Sequence, residues 1–230
     1  MSEHKQTENN PQGNDKKMVI AMGSIGLICA LLIVLTYQGT FASIEKNKAE
    51  ALEKAIFKVL PGISKTKAFQ LNQDQTFSET NATDPKIPKV YAGYDSIGQL
   101  KGIAVQANGK GYGEVLNLLY GYDIDNQKIV GFYVLESKET PGIGDKIEKE
   151  DFLANFKAMD AALNDDFTKI KNEITTVKHG EKTNDWQIDG ITGATITSRA
   201  VGNILSMSSN QWMPLIYKNK KSFLINDKSK

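Results

Sequence analysis

Three short segments hold residues whose types and spacing suit chemistry. Gly109-Lys110-Gly111-Tyr112-Gly113 is the most glycine-dense run in the chain. It has neither the Gly-x-x-x-x-Gly-Lys-[Ser/Thr] spacing of a phosphate loop nor Gly-x-Gly-x-x-Gly. A tight connection between strands accounts for it. So does a place where backbone approaches a flat ligand, with Tyr112 packing on a ring. Glu139-Thr140-Pro141-Gly142-Ile143-Gly144 contains a Pro-Gly pair suited to a type II turn. That turn accounts for Pro141 and Gly142 but not for Glu139 and Thr140, which either face a ligand or stand solvated. The third segment, Asp189-Gly190-Ile191-Thr192-Gly193-Ala194-Thr195-Ile196-Thr197-Ser198-Arg199, precedes a predicted helix. One hydroxyl should cap that helix and leave N–H groups facing outward. Such a start favours phosphate, and Arg199 beside it offers a bidentate contact; a hydroxyl-rich cap without a ligand is the plain alternative. No histidine lies nearby in sequence and the segment is not a Gly-x-Ser-x-Gly elbow, so a hydrolase built on Ser198 is disfavoured.

Composition narrows the classes further. The 230 residues carry 28 lysines and arginines against 27 acids, a net charge of +1. No basic footprint for nucleic acid follows from that balance. The single cysteine, Cys29, excludes an internal disulfide framework and any multi-cysteine iron–sulfur or zinc site within the chain. His4 and His179 are too far apart in sequence to form a local metal motif. Arg199 is the only arginine, which a lysine-rich codon bias explains by itself.

The elements that must position these segments begin with an anchor. Residues 1–17 are polar and aperiodic and should form a disordered tail. Met18–Tyr37 is uncharged and dominated by Ile, Leu, Val, Met and Ala. It matches the roughly 20 residues that cross a hydrocarbon core. A cleavable signal peptide, with Thr40-Phe41-Ala42 as the cleavage site, would carry a shorter apolar region. Lys16 and Lys17 precede the span and no cation follows until Lys46, which places the N-terminus in the cytoplasm and the remainder outside.

Leu52, Ala55, Ile56, Val59 and Leu60 fall at helical spacing, predicting a helix over 44–60 that Pro61-Gly62 ends. Residues 72–88 read as loop. Strands are predicted at Val90–Tyr94, Leu100–Ala107, Leu116–Tyr122 and Ile129–Leu135, with a short one at Ile174–Val177. Residues 150–163 read as helix, and a long helix should begin near Ser198 or Arg199. This order predicts one α+β domain over 38–217, with a mostly antiparallel sheet flanked by helices. Residues 218–230, rich in lysine, read as a solvated polar tail.

With these residues in view, a resemblance emerges. Asp189 followed by Thr192-Gly193-Ala194-Thr195-Ile196-Thr197 resembles the Asp-x-x-[Ser/Thr]-Gly-Ala-Thr-x-[Ser/Thr] signature of covalently flavinylated FMN-binding domains. Glu139–Gly144 is similar to that family's Glu-Thr-Pro-Gly-[Leu/Ile]-Gly segment, and Gly111-Tyr112-Gly113 to its glycine turn. The three segments, in order behind an anchor, resemble the G subunit of Rnf ion-translocating electron transport complexes, and the compact length and the run Lys138–Ile147 look more like that subunit. The C subunit of the sodium-translocating NADH:quinone reductase, a relative that shares these segments, is the alternative.

The resemblance implies FMN esterified through its phosphate to Thr197 by a flavin transferase that uses FAD and magnesium. It implies that Thr192, Gly193, Ala194 and Thr195 hold the phosphate end, and that Asp189 belongs to the transferase recognition motif or caps the loop. Glu139, Thr140 and Tyr112 become candidates for the flavin ring or ribityl chain, and Arg199 for phosphate or solvent. The expected protein is a single-pass, inner-membrane electron-transfer subunit with its flavin domain on the periplasmic side and membrane lipid around its anchor. Its partners would be other subunits of the complex, and ferredoxin/NAD electron exchange coupled to ion transport would belong to the assembly. A flavin-free, membrane-anchored binding or assembly module is the reading from another class.

Overall fold

The computed structural model describes residues 12–81 and 87–225. The chain divides after Glu50 into two compact units. Helix α1 spans Gln12–Val59, so residues 12–17 are helical rather than part of a disordered tail; residues 1–11 of that tail lie outside the described residues. Side chains from Met18 to Tyr37 are exposed. The helix is long and apolar enough to cross a membrane. Leucine, isoleucine and valine turned outward all round would suit a hydrocarbon medium. Hydroxyls within it close on the helix's own carbonyls: Ser24 Oγ donates to Ala21 O at 2.9 Å, Thr36 Oγ1 to Leu32 O at 2.7 Å and Thr40 Oγ1 to Thr36 O at 2.8 Å. The apolar span and the predicted 44–60 helix are one element because no proline interrupts residues 38–43. Pro61-Gly62 does end it, with Gly62 at φ 81°.

The second unit begins at Ala51. Strands β1 (Lys65–Leu71), β2 (Phe77–Glu79), β3 (Lys89–Tyr94), β4 (Leu100–Lys110), β5 (Val115–Asp123) and β6 (Lys128–Glu136) are followed by helix α2 (Glu150–Leu153) and β7 (Met159–Asp160). Among the described residues they form a seven-stranded antiparallel sheet in the order β2-β1-β3-β4-β5-β6-β7. Strands β8 (Thr175–Val177) and β9 (Gln187–Asp189) pair in parallel as a separate ribbon, and helix α3 spans Thr195–Lys218. The fold is α+β, as its strand pattern predicts.

Both faces of the sheet are covered. Ile103, Val105, Leu118, Tyr120 and Tyr122 share a core with Val201, Ile204 and Leu205 of α3. The alternate positions, Ala104 and Leu119, meet Ala55, Ile56, Val59 and Leu60 at the end of α1. Covering both faces buries residues 102–105 and 118–122 without a polar interruption. Each large aliphatic side chain so buried contributes about 1.5–3 kcal/mol.

Three regions depart from the sequence expectation. Residues 72–88, read as loop, contain β2, whose Phe77 is buried against β1 and Trp212. The helix over 150–163 is cut to α2 and a 3₁₀ turn at Ala154–Phe156. Phe152 and Phe156 cluster on Phe132, but Met159, which continues their helical spacing, pairs with Ile129 as β7. The tail expected over 218–230 is packed as far as Phe223, which is buried among Phe69 and Phe77 within a 3₁₀ turn at Lys220–Phe223. Residues 226–230 lie outside the described residues.

Tyr94 fastens that C-terminal turn. Its hydroxyl donates to Phe223 O at 2.7 Å in the core. Burial first, and the charge of Glu79 second, push the phenol up to about 12. Tyr94→Phe would leave the Phe223 carbonyl buried without that donor. We expect a loss of about 1 kcal/mol, read as a lowered urea midpoint; an unchanged midpoint would show that the bond adds nothing.

Candidate functional site

The sheet brings two of the three segments together. β4 and β5 form a hairpin whose turn holds Gly111–Glu114, closed by Gly111 N–H donating to Glu114 O at 2.8 Å. β5 pairs with β6 up to Asn117 opposite Glu136, so the chain leaving β6 runs beside that turn. There Thr140 O accepts from Ile143 N–H at 3.1 Å and Gly144 N–H at 2.9 Å, closing a turn over Pro141 and Gly142. Gly142 has φ 76°, as a type II turn requires at its third position.

The third segment arrives from β9. Gly193 adopts φ 84°, which turns the chain into α3. The expected hydroxyl cap is absent: Ala194 occupies the N-cap without a side-chain bond, and the helix starts at Thr195 rather than at 198 or 199. Ser198 holds the entry instead. Its Oγ donates to Ala194 O at 2.9 Å and accepts from Ile191 N–H at 3.1 Å. An α-helix leaves its first-turn N–H groups without intrahelical partners, here those of Thr195, Ile196 and Thr197.

The three segments meet at one carboxylate. Glu139 Oε1 accepts from the N–H groups of Tyr112 at 2.9 Å and Gly113 at 3.2 Å. Its Oε2 accepts from Thr197 Oγ1 at 2.6 Å. Glu139 is 7% exposed and Thr197 3%. A buried carboxylate is tolerated there because three donors face it, one in a short charge-assisted bond. Glycine makes the room: a Cβ on Gly144 would lie 2.7 Å from both Glu139 Cβ and Oε2, and one on Gly111 would collide with Oε1.

Each of the three segments also carries an exposed apolar side chain. Tyr112, Ile143 and Ile196, one from each segment, are 62%, 49% and 58% exposed. Sequence reasoning passed over Ile143 and Ile196, since an isoleucine at a turn or helix start carries no local signal of exposure. Thr140, Thr192 and Thr195 are exposed hydroxyl residues on the second and third segments. The arrangement offers apolar side chains for a flat ring and amide donors with hydroxyls for an anion.

Two candidates stand elsewhere in their contacts. Asp189 neither caps the loop nor touches Thr197. Its Oδ1 accepts from Gly180 N–H at 2.7 Å and its Oδ2 pairs with His179 Nδ1 at 3.1 Å. Buried Asn155, which sequence reading overlooked, brackets the Asp189 backbone, accepting from its N–H at 2.8 Å and donating to its carbonyl at 3.2 Å. Together these contacts fix the Lys178–Gly180 turn along a cleft of about 300 Å³ bordered by Thr176, Lys178, Thr192 and Thr195. Arg199 is exposed just past the first turn of α3.

A family model described as an FMN-binding domain matches residues 111–207, from the glycine turn into α3, and takes in Gly111–Gly113 and the whole of the other two segments. The G subunit of an ion-translocating oxidoreductase complex from Methanosarcina acetivorans is 31% identical over 189 residues, covering 82% of this chain and 89% of its own. The G subunit of the Na(+)-translocating ferredoxin:NAD(+) oxidoreductase complex of Acetobacterium woodii is 30% identical over 203 residues, 84% of this chain and 91% of its own. The crystal structure of the C subunit of the Na(+)-translocating NADH-quinone reductase from Parabacteroides distasonis shares the fold. It has a TM-score of 0.60 and 23% identity over 76% of this chain and 96% of that one. NqrC of Shewanella oneidensis gives a TM-score of 0.57 at 20% identity, over 77% and 96%.

Proposed function

Since the chain belongs to the G-subunit family of ion-translocating oxidoreductase complexes, an electron-transfer subunit with an FMN-binding domain, we propose that it relays electrons through FMN esterified to Thr197. The observation that carries this reading is the convergence of three sequence-distant segments on Glu139 and Thr197. When bound, FMN supplies the one- and two-electron chemistry; the protein supplies place and field.

The residues fit such a group. Amide donors at the start of α3, with Thr192, Gly193, Ala194 and Thr195, suit its phosphate, and Arg199 adds a cation just past that turn. Tyr112, Thr140, Ile143 and Ile196 suit the ring and ribityl chain. Asp189 serves transferase recognition through the loop it fixes. A phosphoester tether keeps the group on the protein without tight reversible binding.

In this reading α1 is a single span of the cell inner membrane, with the N-terminus in the cytoplasm and the flavin domain on the periplasmic side. The partners are the other subunits of an Rnf-type complex, and a flavin transferase loads the cofactor. A relative from Clostridium ljungdahlii is named as part of a proton-translocating ferredoxin:NAD(+) oxidoreductase complex, and the Acetobacterium woodii relative as part of a Na(+)-translocating one. Ferredoxin/NAD exchange coupled to movement of one of these ions is the proposed reaction of the assembly.

The test is to produce the protein with an active flavin transferase, denature it, and measure its intact mass and peptide map. We expect an added FMN less one water on the peptide containing Thr197. An unmodified mass would remove the ester and leave FMN, if present, held without a covalent bond.

A further inference from the structure

The hydroxyl proposed for esterification is closed off in this structure. Thr197 is 3% exposed, and Oγ1 directs its proton to Glu139 Oε2 at 2.6 Å. Glu139 is held in turn by Tyr112 and Gly113 N–H on Oε1 and hemmed by Gly111 and Gly144. A transferase must bring a phosphorus atom to bonding distance of Oγ1. The buried oxygen offers it no approach while the bond to Glu139 stands.

The covalent step makes the two states incompatible. A bond forms between Oγ1 and the flavin-side phosphorus of flavin adenine dinucleotide as the bond from that phosphorus to the bridging oxygen breaks. AMP leaves with the bridging oxygen, the hydroxyl proton is released, and no atom changes oxidation state. The resulting ester oxygen has no proton to donate. Glu139 Oε2 would then face a phosphodiester of its own charge sign instead of a donor.

We propose that Glu139 is an access-controlling positioning residue: it latches Thr197 shut in the unmodified domain, and attachment requires that latch to open. This rests on the reading of Thr197 as the attachment residue. It explains a buried carboxylate that has a protein donor on each of its oxygens. The closed site leaves both carboxylate oxygens partnered, and esterification removes the donor that would reclose it.

Two variants loosen the latch differently. Glu139→Gln preserves shape, but its amide oxygen is claimed by the Tyr112 and Gly113 N–H groups, which turns NH₂ toward Thr197 and replaces a charge-assisted bond with a neutral one. Gly144→Ala leaves the carboxylate in place chemically and wedges it aside, since its Cβ would lie 2.7 Å from Oε2. With flavin adenine dinucleotide and an active transferase, intact mass against time should show attachment about tenfold faster in both variants than in the natural protein, the ratio expected for weakening one charge-assisted hydrogen bond. Circular dichroism melts establish that each variant is folded. Should one variant unfold, the other decides. Attachment to the natural protein at a rate equal to or above that of the folded variant overturns the latch alone. No attachment to any of them removes the ester reading, and the latch with it.

Discussion

Thr197→Ala, produced beside an active flavin transferase, should carry no covalent FMN. Thr197→Ser should be loaded, because it keeps the hydroxyl that the ester needs and the donor that Glu139 receives. Alanine removes both. The loss of attachment should be complete rather than graded, since no other oxygen takes the place of Oγ1 in the bond to phosphorus. Stability should fall as well: Glu139 Oε2 loses the 2.6 Å bond from Thr197 Oγ1 inside the protein. Depriving a buried charged acceptor of one donor costs about 1–3 kcal/mol. That is a fraction of the roughly 5–15 kcal/mol holding a typical domain together, and Oε1 keeps its two amide donors. Thr197→Val separates the two effects, because it fills the same volume without a hydroxyl. A folded Thr197→Val domain without the added mass assigns the loss to the missing oxygen. Covalent flavin retained in either variant would move the attachment elsewhere and end the reading.

The strands that carry the site were legible because their pattern is local. Short apolar runs bounded by turn residues predict Val90–Tyr94 and Leu100–Ala107, and both belong to the sheet. β1 was not legible: Lys65-Thr66-Lys67-Ala68-Phe69-Gln70-Leu71 buries only Phe69, so its apolar face is too sparse to stand out. Phe152, Phe156 and Met159 show the opposite failure. Their spacing is helical, yet the ladder from Ile129 captures Met159, an effect of tertiary pairing over local propensity. Among the lysines of the C-terminus a single residue, Phe223, decides that the segment packs.

The site divides in the same way. Glycine and hydroxyl patterning marks the segments, but the role of Glu139 lies in donors at Tyr112, Gly113 and Thr197, far from it in sequence. From sequence alone its carboxylate reads equally as solvated. Asp189 behaves conversely. Its place before the threonine–glycine run suggests a cap, whereas its carboxylate is spent on Gly180 and His179. Such pairings depend on the parallel pairing of β8 and β9, which sets Val177 opposite Asp189 and which no short-range pattern records.

Gly121→Ala and Gly131→Ala should be among the most destabilising single-methyl additions in the domain. These residues are register partners on β5 and β6, on the sheet face that receives the end of α1. A Cβ at either would collide with the carbonyl oxygen of Val59. Backbone oxygen cannot rotate aside as a side-chain tip does, so either the helix end lifts or the strands part. Lifting it strips cover from Ile56, Val59 and Leu60, each at most 2% exposed. Overpacking of this kind costs about 3 kcal/mol when backbone must move. For a domain of this size that lowers the melting temperature by about 6–12 °C. Gly39→Ala supplies the contrast, because nothing lies within 4 Å of a Cβ there and alanine is the better helix former by about 1 kcal/mol. Calorimetric or circular dichroism melts of the three variants should therefore separate cleanly, with the two sheet variants low and Gly39→Ala unchanged or higher. Melts of Gly121→Ala and Gly131→Ala that coincide with the natural protein would mean that the helix end does not rest on these strands. The close seat matters to function because β5 and β6 lead directly to the Tyr112 turn and to Glu139. A helix end that forces them apart disturbs the carboxylate that joins the three segments.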